Sequence, residues 1–331
     1  MAYFSLVSLI CGALDQRAIL MQFYDAAGGP SWGRNDGWLD GPPCNRSTNR
    51  WFGLICDNSS EVTQLLMYSN QLTGTLATQL GALPSLTQLF LPTDHVAASG
   101  NSLSGTLPTE LGRLGRLTDL ILDGNSLSGT VPTQLGSAAQ LMSATLDGNS
   151  LSGVVPTQLG RLGTTLTYLG LDSNNISGTI PAQLERLSTL QWLNLDSNQR
   201  ISGTIPAGLE RLTSLQWLDL YRNAISGTLP SEIAALPLAA DLRIHANRLS
   251  GTLPSQLGAV LADYCYLTNA QCVADTGGDP RLCADATTNR FACPLPPQLL
   301  AHAACGGRGL KCTSDAPTRA PRDRPEPDVL S

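Results

Sequence analysis

The sequence is poor in charged residues and contains a single lysine. Charged residues make up 14% of the 331 residues, and the one lysine is Lys311. Schiff-base chemistry and the phosphate-binding lysine of a P-loop are therefore excluded for most of the chain. The formal net charge of −6 argues against a nucleic-acid-binding surface, which needs clustered basic residues. At 42% hydrophobic residues, the composition is not that of a disordered chain.

Signatures of enzymes and of membrane spans are also missing. The sequence has no GxSxG, no HExxH, no CxxC and no GxGxxG before a helix. The three histidines, His95, His245 and His302, fall in unrelated segments. We therefore predict no catalysis, no metal site and no cofactor. No stretch approaches the ~20 apolar residues that a membrane span needs, so we predict no single-pass span in this chain.

Cysteine is absent from the middle of the chain. None of the nine cysteines lies between Cys56 and Cys265, and Cys11 stands apart in an apolar amino-terminal run. Cysteines confined to the two end segments predict disulfide-bonded caps and an oxidising compartment. A zinc site would need paired CxxC motifs, and the sequence has none. The eight predicted disulfide cysteines are Cys44, Cys56, Cys265, Cys272, Cys283, Cys293, Cys305 and Cys312.

The amino-terminal residues predict a leader followed by a helix. Residues 1–13, MAYFSLVSLICGA, have the apolar core and small residues of a secretory signal peptide cleaved near Ala13. The alternative is an apolar first turn of a cap helix. The next residues, 15–24, have apolar positions near helical spacing, and Gly28-Gly29-Pro30 ends the helix.

The cysteine-free middle consists of a repeat. One unit, residues 166–189, reads LTYLGLDSNNISGTIPAQLERLST, and it cannot bury its own leucines without neighbouring units. An asparagine recurs first after 31 residues and then every 24 or 25. We expect each one to turn inward and hydrogen-bond the backbone that leaves the strand, because buried backbone groups need partners. These asparagines are Asn70, Asn101, Asn125, Asn149, Asn174, Asn198, Asn223 and Asn247.

The repeat, LxxLxLxxNxL followed by SGxIP, resembles the plant-type leucine-rich-repeat family. The segments WFGLIC at 51–56, FYDAAGGPSW at 23–32 and FACPLP at 291–296 are similar to the caps of such proteins, the last two to algal and protist members. The resemblance implies an α/β repeat solenoid, a right-handed superhelix or horseshoe with short parallel strands on the concave face and 3-10 or loop segments on the convex face. It divides the chain into a signal peptide (1–13), an N-terminal cap (14–61), eight repeats (62–260), a cysteine-rich C-terminal cap (261–312) and a disordered tail (313–331).

Two places depart from the repeat. About seven extra residues, PTDHVAA at 92–98, lengthen one interval. They are either a loop that leaves the solenoid or an error in the gene model. From about Leu261 the repeat register is expected to be lost.

The concave strand face is the usual binding surface of a solenoid, and its positions form columns across the repeats. One column contains an aromatic run, and another holds Asp123, Asp147, Asp172 and Asp196. Exposed aromatic residues are typical anchors of interfaces and sugar-binding faces, whereas like charges at strand spacing repel. The alternative is that the aspartates solvate the turns and the tryptophans stiffen the sheet. The predicted ligand-binding residues are Tyr168, Asp172, Trp192, Asp196, Trp217, Asp219 and Tyr221.

Two further regularities lie outside the concave columns. A Ser-Gly-Thr step recurs in the repeats and is broken at Val154; regular threonine ranks can bind ice, but β-branched residues also suit any exposed strand. The sequons NRS, NSS and NIS predict glycans at Asn45, Asn58 and Asn175 in a secreted protein.

We therefore expect a secreted or cell-surface, non-catalytic module that binds a protein, peptide or glycan on its concave face, in the manner of a receptor ectodomain. A membrane-bound co-receptor is a further expected partner. The alternative hypothesis is an inhibitor of secreted wall-degrading enzymes such as polygalacturonases, and a remote one is an ice-binding protein. The fold alone does not choose between these functions.

Overall fold

The computed structural model describes residues 15–44, 51–93, 100–237, 241–259, 264–266 and 289–291. The chain begins there with helix α1, Gln16–Ala26, which the sequence placed at 15–24. A side-chain oxygen of Asp15 accepts from the backbone N–H of Arg17 at the helix start. The apolar face buries Ile19, Leu20, Phe23 and Tyr24, so the helix packs over the first repeats as a lid.

Three tryptophans and a disulfide complete the N-terminal cap. Trp32, Trp38 and Trp51 are all buried, and the ring centroids of Trp38 and Trp51 lie 4.8 Å apart. Cys44 and Cys56 form a disulfide bond. Strand β1, Leu54–Cys56, pairs antiparallel with β2, Val62–Leu66, and so covers the edge that the first repeat would otherwise expose.

The concave face is one ten-stranded sheet. From β2 onward its strands are parallel and in register, and the strands from β2 to β13 bury one leucine or alanine each at the same register position. The parallel strands after β2 are β3 (Gln88–Phe90), β4 (Asp119–Ile121), β5 (Ser143–Thr145), β7 (Tyr168–Gly170), β9 (Trp192–Asn194), β11 (Trp217–Asp219), β13 (Asp241–Arg243) and β15 (Tyr264–Tyr266).

The other side of each repeat carries a second ladder and a short helix. The Ser-Gly-Thr steps pair in parallel, through bridges in the early repeats and through short strands later. These strands are β6 (Ser152–Val154), β8 (Asn175–Thr179), β10 (Arg200–Ser202), β12 (Ser226–Thr228), β14 (Arg248–Gly251) and β16 (Arg290–Phe291). The 3-10 helices are Gly29–Ser31, Thr78–Ala82, Thr109–Arg113, Thr133–Ser137, Thr157–Leu162, Ala182–Arg186, Ala207–Arg211, Ser231–Ala235 and Ser255–Ala259.

The expected role of the ladder asparagines is confirmed. Asn198 Nδ2 donates to the carbonyls of Leu171 (3.1 Å) and Leu195 (3.0 Å), and its Oδ1 accepts from the N–H of Ile176 (3.0 Å). The side chain therefore ties two consecutive repeats together. Asn223 lacks the last of these contacts: its Oδ1 is buried and finds no partner among the described residues. The turn it faces has one extra residue between Asn198 and Ile201, which explains the mismatch.

The prediction that the register is lost after Leu261 is wrong for the residues described there. Strand β15 continues the concave sheet by pairing with β13, and β16 continues the outer ladder by pairing with β14. Asn289 takes the next ladder position, because its Oδ1 accepts from Leu249 N–H (2.9 Å) and its Nδ2 donates to Ile244 (2.8 Å). The solenoid thus resumes 42 residues after Asn247, beyond a longer intervening segment.

Several predictions fall outside the described residues. They concern the signal peptide, Asn45, residues 94–98 of the insert, the side chain of Cys265, the tail, and Cys272, Cys283, Cys293, Cys305 and Cys312. Within the described ranges, no helix has the length and apolar character to cross a membrane.

Candidate functional site

The strand register places the concave columns as the repeat spacing predicted. Tyr168, Trp192 and Trp217 stand directly opposite one another on β7, β9 and β11. The next column, two residues further along each strand, contains Gly170, Asn194 and Asp219. Three consecutive repeats therefore contribute to one patch.

The aromatic column is a continuous stack rather than a row of exposed ring faces. The indole planes of Trp192 and Trp217 are nearly parallel (8°), with ring centroids 4.0 Å apart. Tyr168 stacks on the other side of Trp192, and their ring centroids are 5.6 Å apart. Both faces of Trp192 are therefore covered. The hypothesis of open aromatic faces that stack on sugar rings does not fit these residues, because the stack presents ring edges to the concave surface.

The guanidinium of Arg243 closes the far end of the stack. Its Cζ lies 4.6 Å from the ring centroid of Trp217, and its Nη1 lies 3.5 Å from Asp219 Oδ2. Cation–π attraction and the partly buried ion pair hold Arg243 over the indole. On the same two repeats, two residues beyond the strands, the rings of Tyr221 and His245 stack with centroids 4.1 Å apart.

The indole N–H groups of Trp192 and Trp217 are buried, and neither finds an acceptor in the described part of the chain. A buried donor without a partner costs about 1–3 kcal/mol. Such groups are uncommon in native proteins and call for an explanation, which a ligand or bound water often supplies.

The predicted acidic column exists, but it is not solvated. Three of its members are almost fully buried, at 4% (Asp123), 2% (Asp147) and 6% (Asp172) exposure, and Asp196 is half-buried. Asp219, in the neighbouring column, is 4% exposed. The interpretation that these aspartates solvate the turns is therefore wrong, because the neighbouring repeats cover them.

Hydrogen bonds across the repeats hold the carboxylates in place. Asp147 Oδ1 accepts from the backbone N–H of Asp172 at 3.1 Å. Its carboxylate lies over Gly170, where a Cβ would stand only 2.5 Å from Oδ1. Asn194 bridges the next pair, since its Nδ2 donates to Asp172 Oδ1 (3.0 Å) and its Oδ1 accepts from the N–H of Asp196 (3.1 Å).

A negative charge on Asp196 is unfavourable in this row. Burial, and then the charge of the adjacent Asp172, raise the pKa of Asp196 from 3.8 to about 7. The hydroxyl of Ser197 donates to its carboxylate at 3.0 Å, and the charge of Arg243 also opposes the shift, but both are smaller influences.

The Ser-Gly-Thr ladder forms a separate, exposed surface, which we call the threonine flank. A Cβ built on Gly203, whose φ is +75°, would lie 2.8 Å from Cγ2 of Thr179, and the other threonine methyl groups from Thr75 to Thr228 are seated in the same way on the glycine of the next repeat. Val154 fills one place with an equivalent methyl group over Gly178. The exposed residues of the rank are Thr75, Thr106, Thr130, Val154, Thr179, Thr204, Thr228 and Thr252.

Other predicted sites can be placed in part. The sequon residues Asn58 and Asn175 are exposed, and Asn175 opens strand β8 on the threonine flank. Among the described residues, no group of three or more histidine, cysteine, aspartate or glutamate side chains is arranged to hold a metal ion.

Comparison with known proteins agrees with this architecture. The family model for the leucine rich repeat matches residues 164–225, the region of the aromatic stack. No curated protein matches the chain significantly.

Solved structures match over much of the chain. The ectodomain of the receptor kinase GASSHO1/SCHENGEN3 from Arabidopsis thaliana, in complex with CASPARIAN STRIP INTEGRITY FACTOR 2, is 34% identical with a TM-score of 0.61, over 66% of this chain and 26% of that one. The Arabidopsis receptor kinase HAESA, in complex with the peptide hormone IDA and the co-receptor SERK1, is 32% identical with a TM-score of 0.56, over 77% and 46%. The chain thus spans between a quarter and a half of the length of these ectodomains.

A plant ice-binding protein is matched over nearly its whole length. The identity is 25% and the TM-score 0.61, over 86% of this chain and 97% of that one.

Proposed function

We propose that this chain, a leucine-rich-repeat protein of the plant type, is a non-catalytic recognition module that acts outside the cell or at its surface. Its ligand site is the concave patch formed by Tyr168, Trp192 and Trp217 together with the carboxylates beside them. The observation that carries the proposal is the rigid stack of Tyr168, Trp192 and Trp217, capped by Arg243 and set beside a row of carboxylates. The half-buried rings offer apolar contact surface next to concentrated negative charge.

The chemistry of the patch favours a peptide segment over a glycan. Apolar side chains of a peptide pack on the half-buried rings, and its basic side chains complement the aspartates. A glycan would need an open aromatic face, and both faces of Trp192 are covered. A rigid, pre-ordered stack loses little conformational entropy when a ligand docks.

The solved relatives support a peptide or protein ligand. The GASSHO1/SCHENGEN3 ectodomain was crystallised in complex with CASPARIAN STRIP INTEGRITY FACTOR 2, and HAESA with the peptide hormone IDA and the co-receptor SERK1. We extend to this chain only the general mode of binding, with a secreted peptide as ligand and a membrane-bound co-receptor as further partner.

Affinity capture from the native extracellular fraction tests the proposal. The variant Trp192→Leu/Trp217→Leu should lose the captured ligand, since buried aromatic anchors contribute about 2 kcal/mol or more each. Tyr68→Leu/Phe90→Leu is the matched control: it removes another aromatic pair of the concave face, with centroids 6.4 Å apart, several repeats away. If the two folded variants capture the same molecules as the native protein, the patch is not the ligand site. A wall-degrading enzyme among the captured proteins would favour inhibition over signalling.

A second candidate function, ice binding, is favoured by the threonine flank and by the near full-length match to a plant ice-binding protein. Each methyl group of the rank is fixed on a glycine, so the hydroxyl groups beside them are also held at the strand spacing of ~4.8 Å. A rigid, repeating row of methyl and hydroxyl groups suits a repeating solid surface. A glycan on Asn175 would stand on the same flank and obstruct it.

Ice binding is tested with the purified protein. Thermal hysteresis or inhibition of ice recrystallisation should be present, and should be reduced by Thr204→Lys on the flank. Thr157→Lys, at an exposed threonine that opens a 3-10 helix, should leave both measurements unchanged. If the native protein has no effect on ice growth, this candidate is ruled out, and the proposal for the concave face is unaffected.

A further inference from the structure

The outer ladder of Ser-Gly-Thr steps is interrupted at one junction between repeats. In the described part of the chain, bridges or paired strands join the steps at every other junction, but β10 does not pair with β12. Single backbone hydrogen bonds still cross this junction, such as that from the N–H of Ala224 to the carbonyl of Ile201 (2.8 Å). On the concave side the same two repeats are joined in full register by β9 and β11. The two faces of the junction are therefore held unequally.

An extra residue in the turn before β10 accounts for the interruption. Gln199 and Arg200 separate Asn198 from Ile201, where every other repeat has a single residue at this place. Gln199 has a left-handed φ of +52°, and the N–H of Arg200 turns back to the carbonyl of Asn198 (2.5 Å). The N–H of Ile201 therefore does not reach the buried Oδ1 of Asn223, which has no partner among the described residues. In the repeats on either side, the equivalent oxygen accepts this hydrogen bond at 3.0 Å.

The packing also differs between the two faces of this junction. A hollow of about 630 Å³ lies on the outer flank, lined by residues 204–207 of one repeat and 228–232 of the next. On the concave side, the parallel indoles of Trp192 and Trp217 are in close contact, with ring centroids 4.0 Å apart. A missing buried hydrogen bond and open packing lower the free-energy cost of local opening, and here both occur on the outer side only.

We propose that this junction is a hinge, which pivots on the concave stack and opens on the outer flank. The residues of the proposed ligand patch lie on both sides of it, with Trp192 and Asp196 before the hinge and Trp217 and Asp219 after it. A small rotation there changes the distance between the two groups, so the concave face adjusts its curvature when a partner docks. The hinge is a property of the scaffold and does not depend on what the ligand is.

Hydrogen–deuterium exchange of the native protein, resolved to single amides, tests the hinge. The N–H of Ala224 should have a protection factor about tenfold lower than those of Ser150 and Arg248, which donate at the same position across intact junctions (both 2.7 Å). One lost buried hydrogen bond changes an opening equilibrium by about that factor. Because Arg248 lies nearer the carboxyl-terminal end, fraying from that end would give the opposite order. The N–H of Leu195, on the concave side of the junction, should be as protected as that of Leu146 at an intact one.

Two single-residue deletions separate the hinge from a general effect of repeat length. Deleting Gln199 restores the 24-residue interval, so the Oδ1 of Asn223 regains its donor and the protection of Ala224 should rise to that of Ser150. Deleting Thr164 is the matched control, because it shortens the other 25-residue interval just after a 3-10 helix, away from the asparagine turns. That deletion should leave the exchange at Ala224 unchanged.

Three results would each overturn the inference. The first is a native Ala224 amide as protected as its two controls, which would mean that the outer flank does not open. The second is a Leu195 amide that exchanges as fast as Ala224, since the repeats would then separate on both faces. The third is a folded variant lacking Gln199 in which Ala224 exchanges as in the native protein.

Discussion

Replacing Asp196 by asparagine should stabilise the protein, and increasingly so as the pH rises. The carboxyl of Asp196 has a folded-state pKa of about 7, against 3.8 ordinarily. Between these values the folded chain holds a proton that the unfolded chain has released. Stability therefore falls as the pH rises from about 4 to 7, and stays at the lower level above 7. The neutral amide of the variant pays no such penalty.

The magnitude follows from the size of the shift. About three pKa units at 1.36 kcal/mol each set an upper limit of roughly 4 kcal/mol on the difference between pH 4 and pH 8. Ser197 and Arg243 partly stabilise the charged form, and solvent screens the half-buried carboxyl, so we expect about half of this limit, ~2 kcal/mol. For a domain of this size that corresponds to about 4–8 °C in the midpoint of thermal unfolding.

Thermal melts followed by circular dichroism, at intervals from pH 5 to pH 8.5, provide the measurement. The midpoint of Asp196→Asn relative to the native protein should increase with pH and level off above about pH 7.5. Asp123→Asn reports the effect of removing a buried carboxylate of the same column that is not paired with Asp172. A difference between Asp196→Asn and the native protein that is the same at every pH would refute the assignment of a proton to this residue.

Three further predictions concern the scaffold. Asn198→Ala should lower stability by about 3 kcal/mol, since two carbonyls and one N–H lose a buried partner; chemical denaturation measures this. Gly203→Ala should lower the free energy of unfolding by about 1–3 kcal/mol, because its φ is positive and a threonine methyl group is seated on it; a lower thermal midpoint measures this. Gly115→Ala, with open space at its Cβ, should leave the midpoint unchanged. Reduction of the bond between Cys44 and Cys56 should add two hydrogens to the intact mass and lower the free energy of unfolding by about 3 kcal/mol. An unchanged thermal melt after reduction would mean that the cap does not depend on this bond.

The period of the sequence was sufficient to predict the scaffold in detail. A fixed 24–25-residue interval determines which residues stand opposite one another, because parallel strands in register repeat the same position. The alignment of Tyr168, Trp192 and Trp217 followed from counting alone. The same counting failed at Asn289, since the interval before it is 42 residues and the intervening segment hides the period.

The burial of the aspartates could not be predicted from the period. A repeat position identifies the side of the strand, but its exposure depends on what the adjacent repeats place beside it. Asp147 is covered partly because the following strand has Gly170 at the facing position, where any side chain would collide with the carboxylate. Likewise, Asn194 brings Asp172 and Asp196 together through a bridge that only the folded arrangement creates.

The two exposed surfaces of the solenoid differ in how much they vary from one repeat to the next, and this difference bears on function. The threonine flank offers the same methyl and hydroxyl groups in nearly every repeat, so it suits a partner that is itself periodic, such as ice. The concave column changes from Ser143 to Tyr168, Trp192, Trp217 and Asp241 over five strands, so it can recognise only a ligand with a particular order of groups. The buried leucine layer separates the two surfaces, and substitutions on one should therefore leave binding at the other unchanged. A ligand that is lost from both kinds of variant would mean that the fold, and not either surface, had been damaged.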